Sequence, residues 1–410
     1  MTELLDLNDD CLDSVINFCD VETVVSVSKV CKRLNLLVTT NHFPRQTKFK
    51  CTIRSNECEE KARDILDCIA KYLVELNICQ TSEIFLFYGF LGRSIGDHIR
   101  RLTIEAPFIS DTSLQAIEPV LRRIEELKLH ISSTVPDDDD LMLQSRCPNL
   151  RRLHIQWDTS FTQNTGTWTR LEELSLGDNE YIDNDTMVEF MQNNPQLRKL
   201  KIGAFNCELQ LHDIAMHLTN LEQLVLFQNY SDLSADSILD LQPLTHLKRL
   251  ILRNVKASDF EGIVNNVTKL NGLIDLQLQA QFDQCTDDEY FEPKHENIVR
   301  IALEMPQLQV FGISFSQLKE ETIVEFLRFA DNLREIHIHD CDFMLTPENI
   351  DVIINARNTT TTRNRTKKLV TFVDCIDEGI IETLRKPDIS AHLKAIACRS
   401  CEIIPVGFFE

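Results

Sequence analysis

The chain has 410 residues, of which 43% are hydrophobic and 26% are charged, and its formal net charge is −22. A chain of this length can bury a large core and can form more than one domain. Because an acidic surface repels phosphate groups, we expect neither nucleic acid nor a membrane surface as a partner.

The N-terminus, MTELLDLNDDCL, lacks the basic and apolar regions of a signal peptide. The longest apolar stretch, around residues 84–91, is far shorter than the ~20 residues of a membrane span. We therefore expect a cytoplasmic or nuclear protein, in which the fourteen cysteines stay reduced.

The first predicted element is a helical segment over residues 7–38. Apolar residues between Leu12 and Cys19 follow the i, i+3, i+4, i+7 spacing of an amphipathic helix, which Asn8 or the next residue can cap. Asp20 can cap a second apolar stretch, but its valines are equally typical of a strand. Periodicity alone leaves this second element open between helix and strand.

An internal repeat organises most of the remaining chain. The pattern L-x-x-L-x-L, with Leu, Ile or Phe at the marked positions, occurs ten times, and the spacing between successive copies ranges from 21 to 35 residues. The copies begin at Ile99, Ile124, Leu150, Leu171, Leu197, Leu221, Leu247, Leu273, Leu308 and Leu333.

The fourth and sixth positions of each copy lie on one face of a predicted strand. A helical pattern follows several copies, as in the stretch that contains Met187, Phe190 and Met191. One strand and one helix cannot bury both apolar faces alone, so the units must stack. We predict an α/β solenoid shaped as a horseshoe, with a parallel inner sheet and outer helices.

Three polar stretches interrupt the repeat and are predicted to be surface insertions. They are the acidic run Asp137 to Asp140, residues 282–297 and the basic residues 357–368. Sequences near Leu369 and Leu393 have the character of degenerate terminal repeats.

The chain resembles the F-box/leucine-rich-repeat proteins. The stretch Val30, Cys31 and Lys32 matches the V-C-K element of an F-box, and three repeats are preceded by proline, in CPNL, NPQL and MPQL. The resemblance favours helices in the N-terminal segment. It implies the following organisation: a small all-α F-box-like domain (1–45), a connector and N-terminal cap of the solenoid (46–95), leucine-rich repeats (96–345), and degenerate terminal repeats with a C-terminal cap (346–410).

The resemblance also implies a function. The chain would be the non-catalytic substrate-recognition subunit of a Skp–cullin–F-box ubiquitin ligase, binding a Skp-type adaptor that links it to a cullin. We expect seven residues at or beneath the adaptor interface: Leu7, Leu12, Ile16, Val24, Val30, Cys31 and Leu34. Two alternatives remain: the segment is only a helical cap of the solenoid, or the chain is an interaction scaffold outside ubiquitination.

A second candidate site lies on the predicted inner wall, where the third, fifth and seventh residues of each repeat point away from the core. The fifth to seventh repeats combine cations with apolar residues there, at Lys199, Lys201, Val225, Phe227, Arg249, Ile251 and Arg253. An apolar centre with a cationic rim suits an acidic or phosphorylated segment of a substrate protein. The alternative is that these outward positions vary freely and the cluster is accidental.

The sequence contains no recognisable catalytic set. The stretch GFLGRSIG from Gly89 lacks the spacing of a phosphate loop and is predicted to be a loop into the first repeat. The pair in CRSC from Cys398 has no second pair of ligands, and His337 with His339 lacks a third ligand. We therefore expect no enzyme activity, no metal and no cofactor.

The inner-wall hypothesis can be tested by charge reversal. Combining Lys201→Glu with Arg249→Glu should abolish capture of an acidic substrate, because both cations would become repulsive, while adaptor binding should be spared. Parallel pull-downs of substrate and adaptor would measure this. Unchanged substrate capture would dismiss the patch.

Overall fold

The computed structural model describes residues 4–81, 85–131, 142–157, 166–177, 184–203, 210–227, 234–256, 258–280, 292–314, 317–339, 341, 346–358, 369–373, 386 and 393–397. The chain forms two compact units, an N-terminal unit (Met1–Gln196) and a C-terminal unit (Leu197–Glu410). The acidic run Asp137 to Asp140 and most of the other two predicted insertions lie outside the described residues.

The N-terminal unit begins with three short helices. They are α1 (Asp9–Ile16), α2 (Val21–Ser28) and α3 (Lys32–Leu37). A π-helical turn (Val38–His42) and a 3-10 turn (Phe43–Arg45) lead into the first strand. The valine-rich stretch is therefore a helix, as the resemblance implied. The β propensity of its valines does not make it a strand, because Val24 and Val25 are buried in the core and tertiary packing outweighs local propensity.

The rest of the N-terminal unit alternates strands with helices. The strands are β1 (Lys48–Ile53), β2 (Glu75–Gln80), β3 (Arg101–Ala106), β4 (Glu126–Ile131), β5 (Arg152–Trp157) and β6 (Glu173–Leu176). The helices are α4 (Asn56–Ile69), α5 (Phe85–Ser94), α6 (Asp111–Ala116), α7 (Glu118–Leu121), α8 (Leu143–Arg146) and α9 (Asn184–Asn193).

The C-terminal unit continues the same alternation. Its strands are β7 (Lys199–Ile202), β8 (Gln223–Phe227), β9 (Arg249–Val255), β10 (Asp275–Ala280), β11 (Val310–Ser314), β12 (Glu335–His339), β13 (Leu369–Val373) and β14 (Leu393–Ala397). Its helices are α10 (Leu211–His217), a 3-10 helix (Asp236–Leu241), α11 (Phe260–Val267), α12 (His295–Glu304), α13 (Glu320–Phe329) and α14 (Pro347–Asn358).

Within each unit, successive strands pair in parallel, and equivalent repeat positions stand opposite one another. In the C-terminal unit, for example, Leu224 of β8 pairs with Leu250 of β9, which pairs with Leu276 of β10. All three leucines are fully buried. This register confirms the α/β leucine-rich-repeat solenoid predicted from the repeat.

The sheet extends beyond the repeats recognised in the sequence. Strands β1 and β2 pair with each other and β2 pairs with β3, so residues 46–95 contribute to the same layer as the repeats. The prediction of a loop for the stretch from Gly89 is wrong over its first six residues, which belong to α5 and follow the buried Tyr88. The stretches near Leu369 and Leu393 form β13 and β14.

Side-chain amides join one repeat to the preceding one. The residue before the first leucine of a repeat is repeatedly Asn or Gln, and its amide donates to a backbone carbonyl of the previous repeat. Asn149 donates to the Arg122 carbonyl at 2.7 Å, and Asn332 donates to the Pro306 carbonyl at 2.8 Å. These bonds satisfy carbonyls in the turns that the strand ladder does not reach.

The core tolerates little loss of volume. Leu250→Ala should lower the free energy of unfolding by about 2–5 kcal/mol, because it removes buried methyl groups between two paired strands. Urea unfolding measures this. The same change at Leu303, which is exposed on α12, is the matched control and should stay within about 0.5 kcal/mol. Equal effects would contradict the burial of the β9 leucine.

Candidate functional site

The N-terminal helical segment, residues 4–45, is ordered by its own polar contacts. The side chain of Asn8 accepts from the Cys11 amide and that of Asp20 accepts from the Thr23 amide, each at 2.8 Å, so both predicted caps are present. The bond from the Thr23 amide holds the pKa of the Asp20 carboxyl below its ordinary value.

Arg33 of α3 holds the chain that precedes α1. Its guanidinium donates to the backbone carbonyls of Leu5 and Leu7 at 2.8 and 2.7 Å, and to the Asp9 carboxylate at 2.9 Å. One planar side chain therefore joins α3 to the beginning of the helical segment.

A second polar contact closes the segment around Asp13. The carboxylate of Asp13 accepts from the Asn41 amide at 3.0 Å and lies 2.9 Å from Nε2 of the buried His42. The bond from Asn41, with the nearby His42, holds the pKa of Asp13 below its ordinary value. Together with the Arg33 contacts, it fixes α1 relative to α3 and to the turn that follows α3.

The structure places the seven predicted adaptor residues in two layers. Leu12, Ile16, Val24 and Leu34 are buried between the helices, whereas Val30 is exposed, and Leu7 and Cys31 are partly exposed. The buried four therefore shape the segment from beneath. No contact in this single chain tests their role in adaptor binding, which stays a prediction.

Several exposed apolar side chains of this segment were not among the predicted residues. They are Leu5, Val15, Phe18 and Leu36, and the side chain of Phe18 is 92% exposed. With Val30 they make up five of the ten exposed large apolar residues in the described parts of the chain. Phe18 follows α1 in a polar turn, and an aromatic residue in that position was the signal available in the sequence.

A second candidate surface is the open face of the N-terminal sheet, formed by the strand residues that alternate with buried ones. The first residues of β2 to β6 alternate in charge, and the partners are in register: Glu75, Arg101, Glu126, Arg152 and Glu173. Arg101 binds Glu75 at 2.9 Å, and Arg152 binds Glu126 at 2.7 Å. Opposite charges on adjacent strands favour this register over a shifted one.

Glu126 of this row contacts two cations. It accepts from Arg152 and also lies 3.1 Å from Nζ of Lys128. Burial raises the pKa of Glu126, but its bonds to Arg152 and Lys128 outweigh the burial, so the pKa lies below the ordinary value of 4.5. The carboxylate is therefore held in its charged form beneath two cations.

The inner-wall patch predicted in the C-terminal unit differs from its expected form. Val225 and Ile251 are buried, and the side chain of Phe227 lies outside the described residues. Arg249 binds Asp275 of the next strand at 2.9 Å, and both side chains are only 14% exposed. Lys199, Lys201 and Arg253 are partly exposed. The expected exposed apolar centre is thus reduced, and substrate binding there stays a prediction.

Buried polar groups continue from this ion pair towards β12. Gln277 donates to Asp275 at 3.2 Å, and its side chain lies over Gly312, where an added Cβ would stand 2.8 Å from Gln277 Cγ. His337 is buried and lies 3.4 Å from Glu335, whose pKa it holds below the ordinary value. Burial raises the pKa of Asp275, and the Arg249 guanidinium opposes that shift.

The described residues contain neither a candidate metal site nor a candidate membrane span. No group of three or more His, Cys, Asp or Glu side chains there could hold a metal ion. No helix there is long and apolar enough to cross a membrane. The CRSC stretch from Cys398 lies outside the described residues.

Two family models match the chain. The model described as "FBD-associated F-box protein At5g56370, LRR repeats" matches residues 115–338, and the F-box domain model matches residues 4–46. The first match covers more than half of the chain, and the second covers the N-terminal helical segment. No curated protein sequence matches this chain.

Solved structures include distant likenesses. A chain of the "Crystal structure of Rad7 and Elc1 complex in yeast" is 13% identical, with 87% of this chain and 89% of that chain covered and a TM-score of 0.48. The leucine-rich repeat-containing protein LegL7 from Legionella pneumophila is 11% identical, with 77% and 99% covered and a TM-score of 0.45. Neither likeness carries an inference about function.

The ion pairs on the open face of the N-terminal sheet predict that loss of the nearly buried Glu126 carboxylate destabilises the fold more than loss of an exposed carboxylate. Glu126→Gln should lower the free energy of unfolding at neutral pH by about 1–3 kcal/mol, because two cations lose their carboxylate. The matched control is Glu172→Gln, which breaks the exposed pair with Arg151 and should cost at most about 1 kcal/mol. Urea unfolding of both variants measures the difference.

The loss of stability caused by Glu126→Gln should depend on pH. Because the folded pKa of Glu126 lies below its ordinary value of 4.5, its ionised form stabilises the fold above that value. The contribution is lost as the pH falls through the folded pKa. The stability gap between Glu126→Gln and the native chain should therefore narrow on acidification, and a constant gap would contradict it.

Proposed function

Because the chain belongs to the F-box/leucine-rich-repeat family, we propose that it is the substrate-recognition subunit of a Skp–cullin–F-box ubiquitin ligase. Proteins that combine these two parts are generally non-catalytic substrate receptors. In this proposal the N-terminal helical segment binds a Skp-type adaptor, the adaptor links the chain to a cullin, and the repeat sheet binds the target protein.

One observation carries the adaptor half of the proposal. The N-terminal helical segment exposes Leu5, Val15, Phe18, Val30 and Leu36, although its interior is filled by other apolar side chains. A segment whose core is already complete gains nothing in stability from a fully exposed phenylalanine. An excess of exposed apolar side chains in one small segment is typical of a protein-binding surface. This supports docking over the alternative that the segment only caps the solenoid.

Internal rigidity also supports docking. The Arg33 bonds to Leu5, Leu7 and Asp9 and the Asp13 contacts hold the segment together before any partner arrives. A preformed surface loses less conformational entropy on binding than a flexible one. Leu12, Ile16, Val24 and Leu34 would act from beneath, by keeping the helices in place.

The mechanism we propose is positional. The chain would hold a target protein near a ubiquitin-conjugating enzyme carried by the cullin, which raises the effective concentration of the target lysine. No covalent bond is made or broken by this chain in the proposal, and it needs no cofactor. Such a complex would act in the cytoplasm or the nucleus.

The adaptor surface can be tested at its most exposed residue. Phe18→Asp should weaken adaptor binding by at least about tenfold, because it puts a charge into an apolar interface. Binding of purified Skp-type adaptor, measured by calorimetry, gives the result. Folding should be unaffected, since the side chain contacts little within the chain.

The matched control is Phe329→Asp, the same change at an exposed phenylalanine of α13. It should leave adaptor affinity unchanged. If the native chain does not bind the adaptor at all, the ligase proposal fails and an interaction scaffold outside ubiquitination replaces it.

A further inference from the structure

The open face of the N-terminal sheet has cations on its surface and carboxylates beneath them. Its strands β1 to β6 carry five cations, Lys48, Lys50, Arg101, Lys128 and Arg152, and four carboxylates, Glu75, Glu105, Glu126 and Glu173. By formal charge this face is nearly neutral. The two signs, however, lie at different depths.

Exposure separates the two signs within each pair. The side chain of Arg152 is 39% exposed and that of its partner Glu126 is 11% exposed. The side chain of Arg101 is 37% exposed and that of Glu75 is 21% exposed. Glu173, at the end of the row, is 3% exposed. Three of the four carboxylates, all except Glu105, therefore belong to this row of less exposed groups.

The cations retain donors that can reach a ligand. Arg101 and Arg152 bind their carboxylates through Nε and Nη2, so the Nη1 group of each takes no part in these bonds. A guanidinium has five N–H donors, and two of them are sufficient for the internal pair. Lys50 is exposed on β1 and adds a further ammonium group.

The spacing of these groups suits an extended chain. Parallel strands are ~4.8 Å apart, so the distance from β1 to β5 across the sheet is about 19 Å. An extended peptide covers that distance in about six residues. Lys50, Arg101, Lys128 and Arg152 lie on four of these five strands, so one short segment can meet all of them.

We propose that the open face of strands β1 to β5 binds an acidic peptide segment of the target protein. The inference rests on the proposed function, since it names the class of target that the repeat sheet recognises. Charge complementarity supports it: a face with outward cations stands out on a chain of net charge −22 and draws anionic segments to this part of the molecule. Carboxylates and phosphates share the chemistry that the guanidinium groups bind.

The predicted patch in the C-terminal unit is a weaker candidate for the same role. There the arginine at its centre, Arg249, is as deeply placed as its partner Asp275. A buried ion pair offers a ligand neither net charge nor accessible donors. In the N-terminal sheet the arginines are more exposed than their partners, which is the arrangement that leaves donors for a ligand.

Binding of defined peptides to the full chain tests the proposal. The probe is a fluorescein-labelled octapeptide with four glutamates alternating with glycine and serine, and its matched form has lysine in place of glutamate. Fluorescence anisotropy should show saturable binding of the glutamate peptide alone, and the affinity should fall as salt is raised. A third peptide with phosphoserine at the same four positions tells whether phosphate or carboxylate is preferred.

Variants locate the binding surface. Lys50→Gln combined with Lys128→Gln should lower the affinity for the glutamate peptide by about tenfold, because two charge-assisted contacts are lost. Lys61→Gln combined with Lys319→Gln removes the same charge from two exposed positions outside the sheet, each of which forms an ion pair. It should change the affinity less than about twofold. Lys201→Glu combined with Arg249→Glu tests the C-terminal patch. The sequence-based hypothesis predicts that it abolishes binding, whereas the pairing of Arg249 with Asp275 in the structure predicts little effect on the glutamate peptide.

The outcomes separate this inference from the proposed function. No saturable binding, equal losses in the test and control pairs, or a loss confined to the Lys201 and Arg249 variant would overturn the N-terminal sheet as the acidic-segment site. Adaptor binding is measured on the same preparations. If the adaptor binds while the peptide does not, only this inference fails; if the peptide binds while the adaptor does not, only the ligase proposal fails.

Discussion

The fold depends on the parallel pairing of strands from successive repeats. A single strand with its helix leaves apolar side chains exposed on two sides, and only the neighbouring repeat can cover them. The row Leu224, Leu250 and Leu276 shows this, because each leucine is buried by the same position of the adjacent repeat. The two sheet surfaces, in the N-terminal and the C-terminal unit, are consequences of that register, since it decides which residues share a face.

The register also explains the electrostatics of the open face. Glu75, Arg101, Glu126 and Arg152 are about 25 residues apart in sequence, yet parallel pairing brings them into one row. Within this row the shorter glutamate side chains are less exposed, and the longer arginine side chains extend over them. Side-chain length thus converts a balanced set of charges into a face with outward cations, on which the acidic-segment proposal rests.

The N-terminal helical segment follows a different rule. Its stability comes from capped helices, a small apolar interior and the contacts of Arg33 and Asp13. The exposed apolar side chains, above all Phe18, do not contribute to the core of the segment. In the function that we propose, the apolar surface of this segment and the charged face of the sheet would bind two different partners through different chemistry.

Much of this could be read from the sequence by itself. The recurrence of the L-x-x-L-x-L pattern, as at Leu150, Leu171 and Leu197, predicted a strand in every repeat, since two apolar positions two residues apart in each copy fit one face of a strand. The caps at Asn8 and Asp20 were equally legible, because helix capping is a local property. The helix over Val24 needed the family resemblance, since propensity alone did not choose.

Only the tertiary structure decided depth and pairing. The sequence predicted that Arg249 and Ile251 lie on an outward face. It did not predict that Asp275 pairs with Arg249, or that Ile251 is buried. It assigned the Gly89 stretch to a loop, whereas Gly89–Ser94 belong to α5, which packs against the neighbouring helices α4, α6 and α7. Local pattern determines which face a side chain points to; how far it is covered depends on neighbours that the chain supplies from distant repeats.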